Sequence, residues 1–301
     1  MSTIRTASGL LEGSAMDHQQ PAPTMLRMLV GSRLRRLREV RGVTAKDAGV
    51  VIRASHSKIS RLECGRIGFK SRDVADLLTF YGVHDDAERA TLLALAEQAS
   101  GPGWWHEYGD VVPGWFEPYL GLEQAASTIR GYEVQFVPGL LQTEDYARAV
   151  ISLGHGGAPD TEIDHRVSLR MKRQRLLHRP DAPKLWAVID EAALRRPIGG
   201  IATMRAQLRY LIDIAGLPGV TVVMMPFSAG GHAAAGGPIS ILRFAEDEIP
   251  DVVYLEQLSS AVYVDKQAEI DRYWDVMNRV AVDAESAAAT MTILGQILKE
   301  T

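Results

Sequence analysis

Between Leu26 and Arg72 the chain carries thirteen Lys/Arg against three acids (Glu39, Asp47 and Glu63), a net +10 within 47 residues. The whole chain of 301 residues has a formal net charge of −4, so the remainder carries −14. Cations this concentrated repel one another unless the backbone spreads them over an outer face. The sequence supplies such a face. Leu26, Leu29, Val30, Leu34 and Leu37 recur at three- and four-residue steps, which makes one side of a helix apolar and turns the arginines outward. A small helical domain with one cationic surface is predicted, and a polyanion is the partner such a surface fits.

The helical pattern continues to about Ala99 and predicts a compact bundle of five short helices. Gly42 ends the first. Thr44 is placed to cap the second, with Asp47 three residues on in a capping-box-like arrangement. Ser55 caps a third through Glu63, Ser71 a fourth through Tyr81, and Asp85 a fifth. Residues 1–25 have no periodicity and are predicted to be a mobile tail. Gly101-Pro102-Gly103 marks the boundary between a domain at 26–100 and a second at 104–301.

In the second domain, Trp104, Trp105, Trp115 and Phe116 are expected to pack at the seam. Helices are predicted over about 121–133, 143–151 and 161–178. A strand at Leu185–Ile189, a helix at Ile201–Ala215 and a strand at Val220–Met225 suggest a parallel pair with a right-handed crossover. Ile239–Phe244, Val252–Leu255 and Ala261–Val264 read as an antiparallel continuation, and two helices close the chain. The overall class is α+β: an all-α five-helix domain followed by a larger mixed α/β domain.

The segment from Ala45 to Cys64 has the features of a helix-turn-helix. Gly49 gives the close crossing, while Ile52, Ala54, Ile59 and Leu62 give the packed faces. Ser55-His56-Ser57-Lys58 starts the second helix with short polar and basic side chains, and Arg61 lies one turn on along the same face. Such a helix enters the major groove by its N-terminus, and arginine suits guanine O6 and N7.

The stretch Val30–Thr44, followed by Ser57-Lys-Ile-Ser-Arg-Leu-Glu-Cys-Gly-Arg66, resembles the phage-repressor-like (xenobiotic response element) family of helix-turn-helix regulators. The resemblance implies a lambda-repressor-like fold and double-stranded DNA as partner. It also implies base contacts from His56, Ser57 and Arg61, with Lys58 and Arg66 near phosphates; Ser55, Thr44 and Lys46 complete the candidate surface. The family usually has a polar residue at Ala45 and glycine at Arg53. A left-handed arginine costs about 1–2 kcal/mol, which predicts a differently shaped turn. Five later blocks, Gly103–Tyr108, Val137–Arg148, Arg173–Leu177, Asp190–Leu194 and Val253–Glu256, are similar to a domain of unknown function that follows such motifs in actinobacterial regulators. This likeness implies activity tuned through the second domain, with a small partner protein encoded nearby, and a homodimer reading an inverted repeat with half-sites about one DNA turn apart is expected from the docking geometry of such motifs. The alternatives are an antitoxin-like interaction module and a second domain that senses a small molecule.

Other chemistry is weakly signalled. The eight histidines contain no pair spaced by one helical turn, so neither a metal nor a cofactor is expected. Asp190-Glu191 reads as a helix cap or salt bridge, with no nucleophile beside it, and no enzyme is predicted. The glycine-rich Ala229–Gly237 is expected to be a mobile loop, and His165, Arg166, Arg170 and Arg173 to be a solvated or partner-facing stripe. Cys64, the single cysteine, lies among cations that can depress its pKa. One cysteine excludes an internal disulfide scaffold, and no apolar run approaches the roughly 20 residues that span a bilayer. A cytoplasmic, nucleoid-associated protein is expected.

Overall fold

A computed structural model describes residues 23–301, except residue 235. Most of the predicted tail therefore lies outside the described residues. Five helices form the first domain: α1 (Pro23–Val40), α2 (Ala45–Val51), α3 (His56–Glu63), α4 (Ser71–Phe80) and α5 (Asp86–Gln98). Leu26, Val30 and Leu34 of α1 meet Ile59, Leu62, Val74, Leu77, Leu78 and Leu92 in one core, as the three- and four-residue spacing requires. Thr44, Ser55 and Asp85 cap their helices through the side chain. Ser71 does not. It is the first residue of α4, and Lys70 before it provides no side-chain cap.

The second domain comprises α6 (Glu117–Ala125), β1 (Thr128–Glu133), α7 (Glu144–Gly154), α8 (Asp160–Gln174), β2 (Lys184–Asp190), α9 (Glu191–Arg195), α10 (Ile201–Ile214), β3 (Val220–Met225), β4 (Ile239–Arg243), β5 (Val252–Glu256), β6 (Ala261–Val264), α11 (Gln267–Asp283) and α12 (Ala287–Glu300). Its sheet has the order β3-β2-β1-β4-β5-β6. β1, β2 and β3 run parallel, and β4, β5 and β6 continue antiparallel, the mixed arrangement expected. Alternation along the strands separates two cores. Leu185, Ala187 and Ile189 join Val220, Val222 and Met224 under α7, α10 and α12, whereas Val188, Val223 and Met225 face Ile270, Met277 and Val280 of α11.

The strand β1 overturns the helix predicted over 121–133. Leu122, Ala126, Ile129 and Tyr132 are buried at three- and four-residue steps that imitate a helical face. In the fold, Ile129 and Tyr132 lie on opposite faces of the sheet, each in a different core. The basic stripe on α8 is also not solvated at its C-terminal end. Arg173 is buried and bonded through two nitrogens to Glu123 at 2.7 and 2.9 Å, and Arg170 donates to Gln142 at 2.8 Å. Asp190 caps α9 through Ala192 N at 2.8 Å and Glu191 pairs with Arg195 at 2.6 Å, the roles expected of them. The described part of the glycine-rich loop is anchored. His232 Nε2 lies 2.9 Å from the Tyr132 hydroxyl, and Ala234 is buried in the α11 core. Among the described residues, no helix is long and apolar enough to cross a membrane.

Helix α1 begins at Pro23, before the predicted boundary at residue 26, and serves both domains. Met28 is buried in the core of the second domain, with Met25 and Leu29 packed against it. Arg27 donates to the carbonyls of Ala99 and Gly101 at 2.8 and 3.1 Å and so fastens the boundary segment to the same helix.

At the C-terminal end of β1, burial and then the charge of Glu256 raise the Glu133 carboxyl to about 8, against the opposing pull of Arg170. A carboxyl whose pKa is higher in the folded state binds its proton there at a pH where the unfolded chain has lost it. Stability is therefore fully present below about pH 4.5 and declines as pH rises towards 8. Glu133→Gln is expected to flatten this decline in thermal unfolding between pH 5 and 8. An unchanged slope in the variant would place the origin elsewhere.

Candidate nucleic-acid interface

The geometry of the motif is fixed from the inside outward. α2 and α3 cross at Gly49, where an added Cβ would lie 2.5 Å from the Ala54 carbonyl oxygen, too close for any side chain. The turn closes through Ala54 N donating to Gly49 O at 2.7 Å. Arg53 in this turn has φ 53°. The reshaped turn expected from arginine at this position does not occur. The left-handed conformation is kept because the helices on either side are fixed by packing at Ala48, Ile52 and Ile59.

α3 turns Ile59, Leu62 and Glu63 inward. Glu63 is held by Arg38 of α1 in a two-pronged pair at 2.6 and 2.9 Å, with the two side chains 12% and 6% exposed. Arg38 also donates to the Val43 carbonyl at 2.9 Å, so one guanidinium joins α1, the end of α3 and the approach to α2. Removing one partner from a pair buried this deeply is strongly destabilising, because the other charge remains without compensation.

The opposite face of α3 is open. His56, Ser57 and Arg61 are exposed, and among the described residues their side chains form no hydrogen bond or ion pair. Ser55 Oγ accepts from Lys58 N at 3.2 Å and defines the start of the helix. Thr44 Oγ1 caps α2 by accepting from Asp47 N at 3.1 Å, and Lys46 is exposed in the first turn. Lys58 is half-buried and pairs with Asp73 of α4 at 3.1 Å. This pair brings the start of α4 alongside α3, where Lys70, Ser71 and Arg72 are exposed. Their grouping with α3 was missed because sequence spacing does not reveal which helix end lies beside another. The one available signal was Asp73, an acid that a neighbouring lysine can pair with.

Arg66 departs from its expected place near phosphates. Its Nη2 is 2.6 Å from Asp265 and 3.0 Å from the Tyr263 carbonyl oxygen, and its guanidinium lies 5.1 Å from the Tyr263 ring centroid. The chain turns at Gly65, with φ +66°, and directs Arg66 into the second domain. Cys64 follows the same path and donates to Asp265 at 2.8 Å. The thiol pKa is not depressed by the surrounding cations. Burial, then the hydrogen bond to Asp265, pushes it up to about 12, with Arg66 and Arg35 opposing.

Residues 116–296, well over half of the chain, match a domain of unknown function, DUF5753. The chain belongs to the DUF5753 family. Residues 29–92 of this family member match a helix-turn-helix domain, which takes in α2, α3 and α4 entirely and most of α1. The chain thus carries a DNA-binding motif at its N-terminal end, joined to a domain whose family description assigns no activity. Compared with curated proteins and with solved structures, it finds no significant match.

Two expected outcomes follow from the local geometry. Arg53→Gly removes the left-handed penalty of about 1–2 kcal/mol and adds about 0.5–1 kcal/mol of unfolded-chain entropy, for a net gain of about 0.5–1 kcal/mol. Urea unfolding measures it, and a fall in midpoint would mean that the arginine side chain contributes a contact of its own. Cys64, protonated and tied to Asp265, is expected to react with a disulfide reagent at pH 8 at least about a hundredfold more slowly than after unfolding. Equal rates would remove the thiol from its buried setting.

Proposed function

We propose that the protein is a sequence-specific, DNA-binding transcriptional regulator that acts by binding and not by catalysis. The observation that carries this reading is the open face of α3, where His56, Ser57 and Arg61 project without polar partners among the described residues, from a helix whose other side is locked to α1. In this reading the start of α3 enters the major groove and Arg61 contacts guanine. Ser55, Thr44, Lys46 and the start of α4 meet the flanking phosphates. The uncapped N-terminus of α4 supports that role, because free backbone N–H groups there suit an anion. Lys58 reaches phosphate by exchanging out of its pair with Asp73. Arg66 takes no part while Asp265 holds it.

An eight-residue helix reads only about three or four base pairs, too few to define a site. A homodimer on an inverted repeat, with half-sites about one DNA turn apart, resolves this. The second domain modulates binding, supported by its direct hold on the residues that follow α3, and the small partner protein implied by the resemblance is an input of this kind. Such a regulator works in the cytoplasm, at the nucleoid.

Selection of bound fragments from random double-stranded DNA tests the reading, with enrichment of a two-fold symmetric sequence as the expected result. Arg61→Ala is expected to cost about 1–3 kcal/mol on the selected site and to relax one position of each half-site. No enriched sequence, or the same affinity and site preference in the variant, would count against it.

A further inference from the structure

Between the two domains lies a cleft of about 550 Å³ with walls from both. This is the size of a small-molecule site. Its charge is one-sided. Arg27, Arg61 and Arg66 line it, and Glu117 is the one carboxylate among the lining residues. That carboxylate accepts from the Trp105 indole at 3.3 Å. Arg27 is bonded only to backbone carbonyls and, among the described residues, forms no ion pair. Glu117 acts on Arg27 through space and Asp265 pairs with Arg66, while Arg61 forms no hydrogen bond or ion pair among the described residues.

The remaining walls are aromatic. Trp105, Trp115 and Tyr263 line the cleft, and the Tyr263 hydroxyl donates to the Trp115 carbonyl at 2.7 Å, which fixes these two residues side by side. Two lining residues also have buried polar atoms without a hydrogen-bond partner. These are Thr24 Oγ1, in a residue only 3% exposed, and Arg66 Nε. Thr24 Oγ1 faces Gly121 of α6 and both atoms are covered by protein, so they belong to the packed seam behind the cleft wall.

We propose that this cleft binds a small planar aromatic carboxylate, with the carboxylate held by Arg61 and the ring against Trp115 and Tyr263. A consequence, which rests on the DNA-binding reading above, is that an occupied cleft withholds Arg61 from DNA. Ligand and operator then compete for one guanidinium.

Calorimetric titration of the full chain with 2-naphthoate, in the absence of DNA, tests the site, with the neutral 2-naphthamide as control. One saturable site is expected, with the carboxylate bound at least about tenfold more tightly than the amide. Arg61→Gln, which removes a guanidinium that forms no hydrogen bond or ion pair among the described residues, and Ala261→Phe, which fills the cleft, are each expected to weaken 2-naphthoate about tenfold. The Arg61 variant decides the matter alone if Ala261→Phe fails to fold. Absence of binding, equal affinity for acid and amide, or undiminished affinity in Arg61→Gln overturns the proposal. Titration with the selected DNA separates the two readings. DNA binding without 2-naphthoate binding sinks the cleft alone, and 2-naphthoate binding without any preferred DNA sinks the regulator alone.

Discussion

The orientation of α3 depends on a charge buried at its inner end. A helix of eight residues is too short to hold a direction by its own hydrogen bonds, so its aim must come from tertiary contacts. Ile59 and Leu62 provide apolar contact, which is non-directional. The pairing of Glu63 with Arg38 adds a fixed geometry, because a guanidinium and a carboxylate joined by two parallel bonds cannot rotate about each other. The exposed side chains at 56, 57 and 61 inherit this direction.

The same helix that supplies Arg38 joins the two domains. α1 places Leu26, Val30 and Leu34 in one core and Met28 in the other, so the domains share a rigid element as well as a linker. At the far side, Asp265 collects both Arg66 and Cys64 directly after α3. α3 is thus free at its N-terminus and tethered just beyond its C-terminus. Any displacement of β6 or α11 that moves Asp265 acts on the chain one and three residues beyond the end of α3.

Much of this was legible in the sequence, for physical reasons that differ by region. The N-terminal bundle was readable because amphipathic spacing, side-chain caps and a small residue at the crossing are all local signals, and Gly49 with Ser55 located the motif closely. The turn at Arg53 was misjudged because a local penalty was weighed without the packing that overrides it. In the second domain, β1 was hidden by a chance helical spacing of Leu122, Ala126, Ile129 and Tyr132. Only the pairing of β1 with β2 and β4 distinguishes the two structures, and that pairing is non-local. The same limit applies to Arg66, which looks like any cation after a recognition helix until Asp265, 199 residues on, is placed beside it.

The opposite charges of the two domains do not cancel, because few acids of the second domain reach the basic surface of the first. Asp265 takes Arg66, and Glu248 takes Arg36 at 3.5 Å. Lys46, Arg53, Arg61, Lys70 and Arg72 remain exposed. The two pairs respond differently to salt. Arg36 and Glu248 have side chains 64% and 59% exposed, and mobile ions screen such a pair. Arg66 and Asp265 are 15% and 18% exposed and are screened far less. Rising ionic strength therefore weakens attraction of the open face to a polyanion while leaving the hold on Arg66 nearly intact, so the charges are divided between one set available to DNA and another reserved for the seam.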